Sequence, residues 1–339
     1  MTKGPTSTTV KITRFILIAL GATLVPGLVV AALGLGAVAG LAGLAAFGAF
    51  LAVLQVGWRS GIAFSVLASV AAGLAAGTAS NPWLSALLFF GCGLIVGLSG
   101  RRGQRIVFMQ LPVVAGFVLG DVPNLHHGVW LDALILSAAI LAAGLFATLV
   151  IAAVSGKVDR HQPERLSDAR SEVYGLVLGV MLAGAAYCVS AFDLAHAGSW
   201  VILTFVVIIQ PRLNDSLTKA VHRAAGTILG FFISIGIATT VHAPVLLYVA
   251  GGVALCFALY DMIEHKPYWL YATAVTVAVV ILEGSSTSIL ATAQQRLWAT
   301  TVAAGIALAV VAVLAPLARR RNPHQRRPGE PNPDSRPAG

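Results

Sequence analysis

The chain has 339 residues, of which 58% are hydrophobic and only 10% charged, whereas a soluble domain carries about 25% charged residues. So much apolar surface excludes a soluble globular fold and makes a bilayer the solvent. The net charge of +9 reads as basic loops that hold a membrane topology. Nucleic acid is excluded as a partner, because no basic residues interleave with aromatics on a soluble stretch.

Only helices or closed barrels satisfy their backbone in lipid. The apolar runs are long and unbroken, which excludes a barrel's alternating strands of about ten residues. The predicted fold is therefore all-α and polytopic. Crossing a hydrocarbon core of about 30 Å takes about 20 helical residues, and the charged residues divide the chain into segments of that size.

Residues 1–14 are expected as a cytoplasmic N-terminus. Lys3 to Arg14 followed by apolar residues resembles a signal sequence, but no A-x-A site precedes a polar region, so a retained first helix is expected. A first six-helix half is expected over 15–154. Between Arg14 and Arg59 lie 44 uncharged residues, enough for two helices that break near Gly34 to Gly36. Between Arg59 and Arg101 lie 41, again two, with the turn at Asn81-Pro82. Arg105 to Asp121 gives one short span and Asp132 to Lys157 one more.

A polar segment over 155–172, SGKVDRHQPERLSDARSE, reads as a cytoplasmic linker. A second six-helix half is expected over 173–318. Glu172 to Asp193 and Asp193 to Arg212 give one span each. Arg223 to Asp261 encloses 37 residues, hence two spans broken near His242-Ala243-Pro244. Lys266 to Glu283 gives one and Arg296 to Arg319 the last. Residues 319–339 are rich in Arg, Pro and Asn and read as a disordered basic cytoplasmic tail.

The count makes about twelve helices, and charge tests it. With both termini cytoplasmic, the basic positions fall on one side of the membrane, Arg296 excepted. The six Trp residues (Trp58, Trp83, Trp130, Trp200, Trp269, Trp298) sit near predicted helix ends, as an aromatic belt at the interfaces requires. Arg outnumbers Lys 17 to 5, and with abundant Ala and Gly this suggests a GC-rich bacterial genome. A bacterial plasma (inner) membrane is the expected location. Cys92, Cys188 and Cys256 lie in apolar runs without C-x-x-C spacing and read as small buried hydrophobes.

The halves resemble each other. AVLQVGWR (52–59) is similar to VIIQPRLN (207–214), and each precedes a GxxxG pair, Gly73 with Gly77 and Gly226 with Gly230. Six helices per half make the repeat parallel, with a candidate pathway between the halves. Further pairs are Gly36 with Gly40, Gly93 with Gly97, Gly116 with Gly120, and Gly175 with Gly179. Their functional reading is dimerisation into a homo-oligomer. The preferred reading is close helix packing within one bundle.

At 199–230 the sequence reads SWVILTFVVIIQPRLNDSLTKAVHRAAGTILG. This resembles the signature of the FUSC family, the fusaric acid resistance and aromatic acid exporter type of integral membrane transporter. The match runs through Trp200, Pro211, Thr218, Arg223, Gly226, Thr227 and Gly230. QRLWATTVAAG (295–305) is a second family-like stretch. The resemblance implies proton-driven efflux of small, often aromatic, organic anions. Plant aluminium-activated malate transporters resemble the family in their membrane part, which keeps a passive anion channel as the alternative. A non-transporting membrane scaffold is the third reading. The chain departs from many family members in lacking a large cytosolic domain after each six-helix block.

Candidate substrate-pathway residues are Gln210, Pro211, Arg212, Asn214, Lys219, Arg223, Gly226, Thr227, Gly230 and Arg296. Asn214 or Asp215 can N-cap a helix. Asp215, Lys219, Arg223 and Thr227 then form one stripe at i, i+4 spacing. A cationic stripe at the inner mouth attracts an anion. The other reading is an ordinary positive-inside helix start with a packing face. Ionisable groups at membrane depth usually face a cavity. Asp121 and Glu283, ending corresponding helices, are therefore the proton-coupling candidates, against solvated interface residues as the plainer account. Arg296 either pairs with Glu283 or lines the pathway. No P-loop, H-E-x-x-H or nucleotide fingerprint occurs. No catalytic residue, metal or cofactor is expected, and the partners are the lipid bilayer and the transported anion.

Overall fold

The computed structural model describes residues 6–154, 165–241, 243–264, 266–284 and 289–321. Every regular element among them is helical. In chain order the helices are α1 (Thr6–Ala32), α2 (Gly36–Gln55), α3 (Trp58–Thr78), α4 (Pro82–Ser99), α5 (Arg105–Phe108), α6 (Gln110–Gly120), α7 (Val129–Val154), α8 (Asp168–Phe192), α9 (Ala195–Ile208), α10 (Leu213–Thr240), α11 (Pro244–Ile263), α12 (Tyr268–Gly284) and α13 (Ile289–Arg321). A 3-10 turn, Gly100–Arg102, links α4 to α5. The short α5 runs into α6, so the helices form twelve successive rods.

Local chemistry sets the breaks. Asn81 caps α4, its side-chain oxygen accepting from the backbone N–H groups of Trp83 and Leu84 at 3.1 and 3.2 Å. Pro82 then sits at the first helical position, where no donor is lost. Gly34 turns between α1 and α2 with φ of +83°, a left-handed conformation that costs glycine little. Pro244 opens α11 after the expected break.

Several boundaries differ from the sequence reading. The first helix begins at Thr6, well before Arg14, because the mixed segment around Lys11 continues the same helical turn. α8 begins at Asp168, inside the expected linker, whose part 155–164 lies outside the described residues. α13 continues to Arg321, past the expected start of the tail.

Six helices are long and apolar enough to cross a membrane: Gly36–Gln55, Trp58–Thr78, Pro82–Arg102, Val129–Val154, Asp168–Phe192 and Asp215–Thr240. Among the described residues, further apolar stretches that are shorter are Leu17–Ala32, Arg105–Gly120, Ala197–Ile208, Val249–Asp261 and Tyr268–Ile281. α9 has 14 residues, about 21 Å at 1.5 Å per residue, because the chain breaks at Ile209 to Arg212.

The interior is built from small residues, which let helix backbones approach. On α2, Ala42, Ala45, Ala46, Ala49 and Ala52 are all buried. Phe50, Phe64 and Phe89 fill the gaps. In the first half α2 packs on α1, α3 and α7, and α3 packs on α6 and α7. In the second half α9 packs on α8, α10 and α13, and α10 packs on α12 and α13. The halves meet where α4 lies along α8 and α6 along α9.

The α4–α8 contact is backbone to backbone. A Cβ added at Gly93 would strike Gly179, and one at Gly97 would strike the Cα of Gly175. The Ser171 hydroxyl donates to the Gly97 carbonyl across the same seam. Two of the GxxxG pairs thus pack on each other within one chain. Gly116 lies against Ile202 of α9, and Gly73 against Ser137 of α7. Gly36 and Gly40 face open space.

Cys92 is buried, whereas Cys188 is exposed and Cys256 half-buried. The reading of all three as buried hydrophobes holds for Cys92 only, since the other two lie nearer the outer faces of their helices.

Candidate functional site

Two arginines are the largest fully buried side chains in the described structure: Arg223 at 1% exposure and Arg296 at 0%. Buried arginines cannot shed their charge, because the guanidinium stays protonated. They must be compensated by hydrogen bonds, aromatic faces or an anion.

Arg223 sits on α10. The stripe expected on that helix descends into the protein: Asp215 is exposed, Lys219 half-buried, Arg223 and Thr227 buried. Helix geometry produces this, since residues four apart share a face. The helix starts at Leu213, ahead of both expected caps. Arg212, exposed, stands at the N-cap position. The backbone N–H of Gln210 donates to the Ser216 hydroxyl at 2.9 Å, tying the Gln210-Pro211 break to the first turn. Asp215 lies in that first turn, where the helix dipole favours a carboxylate. The side chain of Asn214 lies outside what the structure describes.

The glycines of α10 set its distance from α12. A Cβ on Gly226 would come 2.6 Å from the Ala272 Cβ and 2.7 Å from the Trp269 carbonyl oxygen. One on Gly230 would come 2.6 Å from the Thr276 Cβ. Both distances are below van der Waals contact, so only glycine permits this approach.

The close approach of α12 brings its tyrosines to the arginines. Lys219 Nζ stands 5.4 Å from the ring centroid of Tyr268. Tyr271, one turn further, is within electrostatic reach of both Arg223 and Arg296. Arg296, on α13, lays its guanidinium over the indole of Trp200 at 4.0 Å from the ring centroid. Trp200 in turn meets Phe117 of α6 edge-on, centroids 5.0 Å apart.

The two short rods complete the constellation. α5 carries Arg105, whose Nη1 donates to Gln210 Oε1 at 2.8 Å. The same guanidinium lies 5.6 Å from the ring centroid of Tyr174 on α8 and within electrostatic reach of Lys219. Short or interrupted membrane helices commonly mark transport sites, because their freed ends line a polar cavity. Here α6 and α9, both short, pack together between the halves. A line of cationic groups results: Arg105, Lys219, Arg223 and Arg296, edged by Gln210, Tyr174, Tyr268, Tyr271 and Trp200.

Of the expected pathway residues, the structure brings together Gln210, Lys219, Arg223 and Arg296, with Pro211, Gly226, Thr227 and Gly230 as their scaffold. The proton-coupling candidates stand as follows. Asp121 is exposed at the end of α6. Glu283 belongs to α12, but its side chain lies outside the described residues. Asp132 is the buried carboxylate of the first half. It accepts from the backbone N–H groups of Leu125 and His127 at 2.9 and 3.2 Å, and its oxygen lies 3.4 Å from His127 Nδ1.

Four contributors carry little or no signal in the sequence. Arg105 was counted only as a loop charge, and its partner lies 105 residues away. Trp200 was assigned to the aromatic belt, yet it is 4% exposed and is the platform for Arg296. Its place as the Trp of the 199–230 signature was the signal available. Trp58, Trp83, Trp130 and Trp298 are exposed, as a belt requires. Tyr268 and Tyr271 carried no signal in sequence.

Residues 182–310 match the model of the fusaric acid resistance protein-like family. This part of the chain is similar to that family. The matched segment begins in α8 and ends in α13, and it contains Trp200, Gln210, Lys219, Arg223, Tyr268, Tyr271 and Arg296. Arg105 and Tyr174 are supplied from outside it. No solved structure matches the chain.

Proposed function

We propose that this protein is a secondary transporter of the bacterial inner membrane that exports small organic anions, aromatic carboxylates among them, at the expense of a proton gradient. One observation carries the reading. Arg223 is buried with Nε and Nη2 lacking any hydrogen-bond partner among the described residues. Leaving a charged group so costs several kcal/mol, a cost that an incoming anion removes. The cationic line from Arg105 through Lys219 to Arg223 gives such an anion a graded path inward.

In this reading the twelve rods are twelve spans, arranged as two parallel six-helix repeats with both termini cytoplasmic. The neighbour relations support the repeat. The second rod of each half packs on the third and sixth, and the third packs on the fifth and sixth. The basic loop residues support the orientation.

A passive anion channel is the second reading. It is favoured by the composition of the line, in which four cations are named and Asp215, at the rim, is the carboxylate within electrostatic reach of Lys219. Reconstitution in liposomes separates the two. A proton-coupled exporter accumulates benzoate against its gradient when a pH difference is imposed, and Glu283→Gln or Asp121→Asn removes that drive. A channel only lets benzoate equilibrate. In either case Arg223→Ala abolishes benzoate flux while the protein still inserts. Wild-type flux through Arg223→Ala would rule out transport through this site.

A further inference from the structure

Nε and Nη2, the two partnerless nitrogens of Arg223, lie on one edge of the guanidinium, and their N–H bonds point the same way. That edge matches the two oxygens of a carboxylate, which it binds through paired parallel hydrogen bonds. A spherical halide uses such a fork poorly.

Two hydroxyls on α10 and the helix packed along it are likewise without partners among the described residues. Thr227, one turn beyond Arg223, is 1% exposed and its Oγ1 has no hydrogen-bond partner among the described residues. α13, packed along α10, repeats the spacing: Arg296 is followed four residues later by Thr300. Thr300 is also 1% exposed with a partnerless Oγ1. The two segments read R-A-A-G-T (223–227) and R-L-W-A-T (296–300).

A threonine inside a helix ordinarily donates to the carbonyl four residues back. Thr204, Thr273, Thr276 and Thr301 do so, at 2.7, 2.8, 2.7 and 2.8 Å. The carbonyls of Arg223 and Arg296 stand in the same relation to Thr227 and Thr300, and the two hydroxyls leave them unused. A buried hydroxyl without a partner is destabilising, so two at matching positions mark a place where a ligand supplies the acceptor.

We infer that the R-x-x-x-T segments of α10 and α13 form one carboxylate seat, in which the Nε–Nη2 edge of Arg223 binds both oxygens and the hydroxyls of Thr227 and Thr300 donate to the same group. The inference rests on the anion-transport reading and adds to it the residues that bind the carboxylate, one of them on α13. Trp200 holds the neighbouring Arg296 in place, so the seat's second wall is rigid.

The test is binding of benzoate and of chloride to the purified full-length protein, by titration calorimetry. Wild type is expected to bind benzoate more tightly than chloride. Thr227→Val and Thr300→Val, each close to isosteric, should each weaken benzoate about tenfold, the scale of a hydrogen bond to a charged group, and weaken chloride less. Arg223→Lys keeps the charge and removes the fork, so it should erase the preference for benzoate while chloride still binds. Unaltered benzoate affinity in both threonine variants, or an intact preference in Arg223→Lys, would overturn the seat and leave the transport reading standing. A wild-type protein that binds neither anion would overturn both.

Discussion

The guanidinium of Arg296 rests on the indole of Trp200, 4.0 Å from the ring centroid, and this stack joins α13 to α9. A cation over an aromatic face is stabilised by about 2 kcal/mol or more when both are desolvated. The contact therefore lets a charge stand in an apolar interior and fixes the direction in which the guanidinium points.

Trp200→Ala should be among the most damaging substitutions in the chain. Removing a buried Trp costs about 3–5 kcal/mol from the cavity alone, and the exposed guanidinium face adds to it. Trp200→Phe keeps a ring and should retain most of the stability. The midpoint of thermal unfolding, followed by size-exclusion of the detergent-solubilised protein, reads the difference. Equal midpoints for Trp200→Ala and wild type would show that the stack contributes nothing.

The sequence made the membrane architecture visible because that architecture follows from local rules. The turn at Asn81-Pro82 and the break before Pro244 are capping and proline chemistry. The stripe from Asp215 to Thr227 is helical periodicity. Trp200 and Arg105 escaped because their partners are distant in sequence: periodicity places a residue on a face and says nothing of what the face meets. The shortness of α9 was hidden in an adequate number of apolar residues, since its end is decided by Gln210, Pro211 and the Ser216 hydroxyl rather than by hydropathy.

The seam between α4 and α8 should be intolerant of any side chain. Gly97→Leu would drive a side chain into the backbone of α8 at Gly175, and overpacking of this kind costs about 1–3 kcal/mol or more. Gly175→Leu should fail likewise. A Cβ at Gly36 meets no atom within 4 Å, so Gly36→Leu serves as the control. Yield of monodisperse protein after detergent extraction is the measurement. Similar yields from Gly97→Leu and Gly36→Leu would show that the two helices do not lie backbone to backbone.

Arg101 offers the opposite expectation, and magnitude decides it. Its guanidinium joins the end of α4 to the start of α8, with Nε 3.4 Å from Asp168 and a second bridge to Glu172. The three side chains are 37, 80 and 62% exposed, so water and salt screen them. Exposed ion pairs contribute about 0–1 kcal/mol, and the glycine seam beside them already fixes the two helices. Arg101→Gln should therefore shift the unfolding midpoint only slightly, and raising the salt concentration should shrink the difference further. A loss comparable to that of Gly97→Leu would mean that the ion pair, rather than the close backbone contact, holds the halves together at this end.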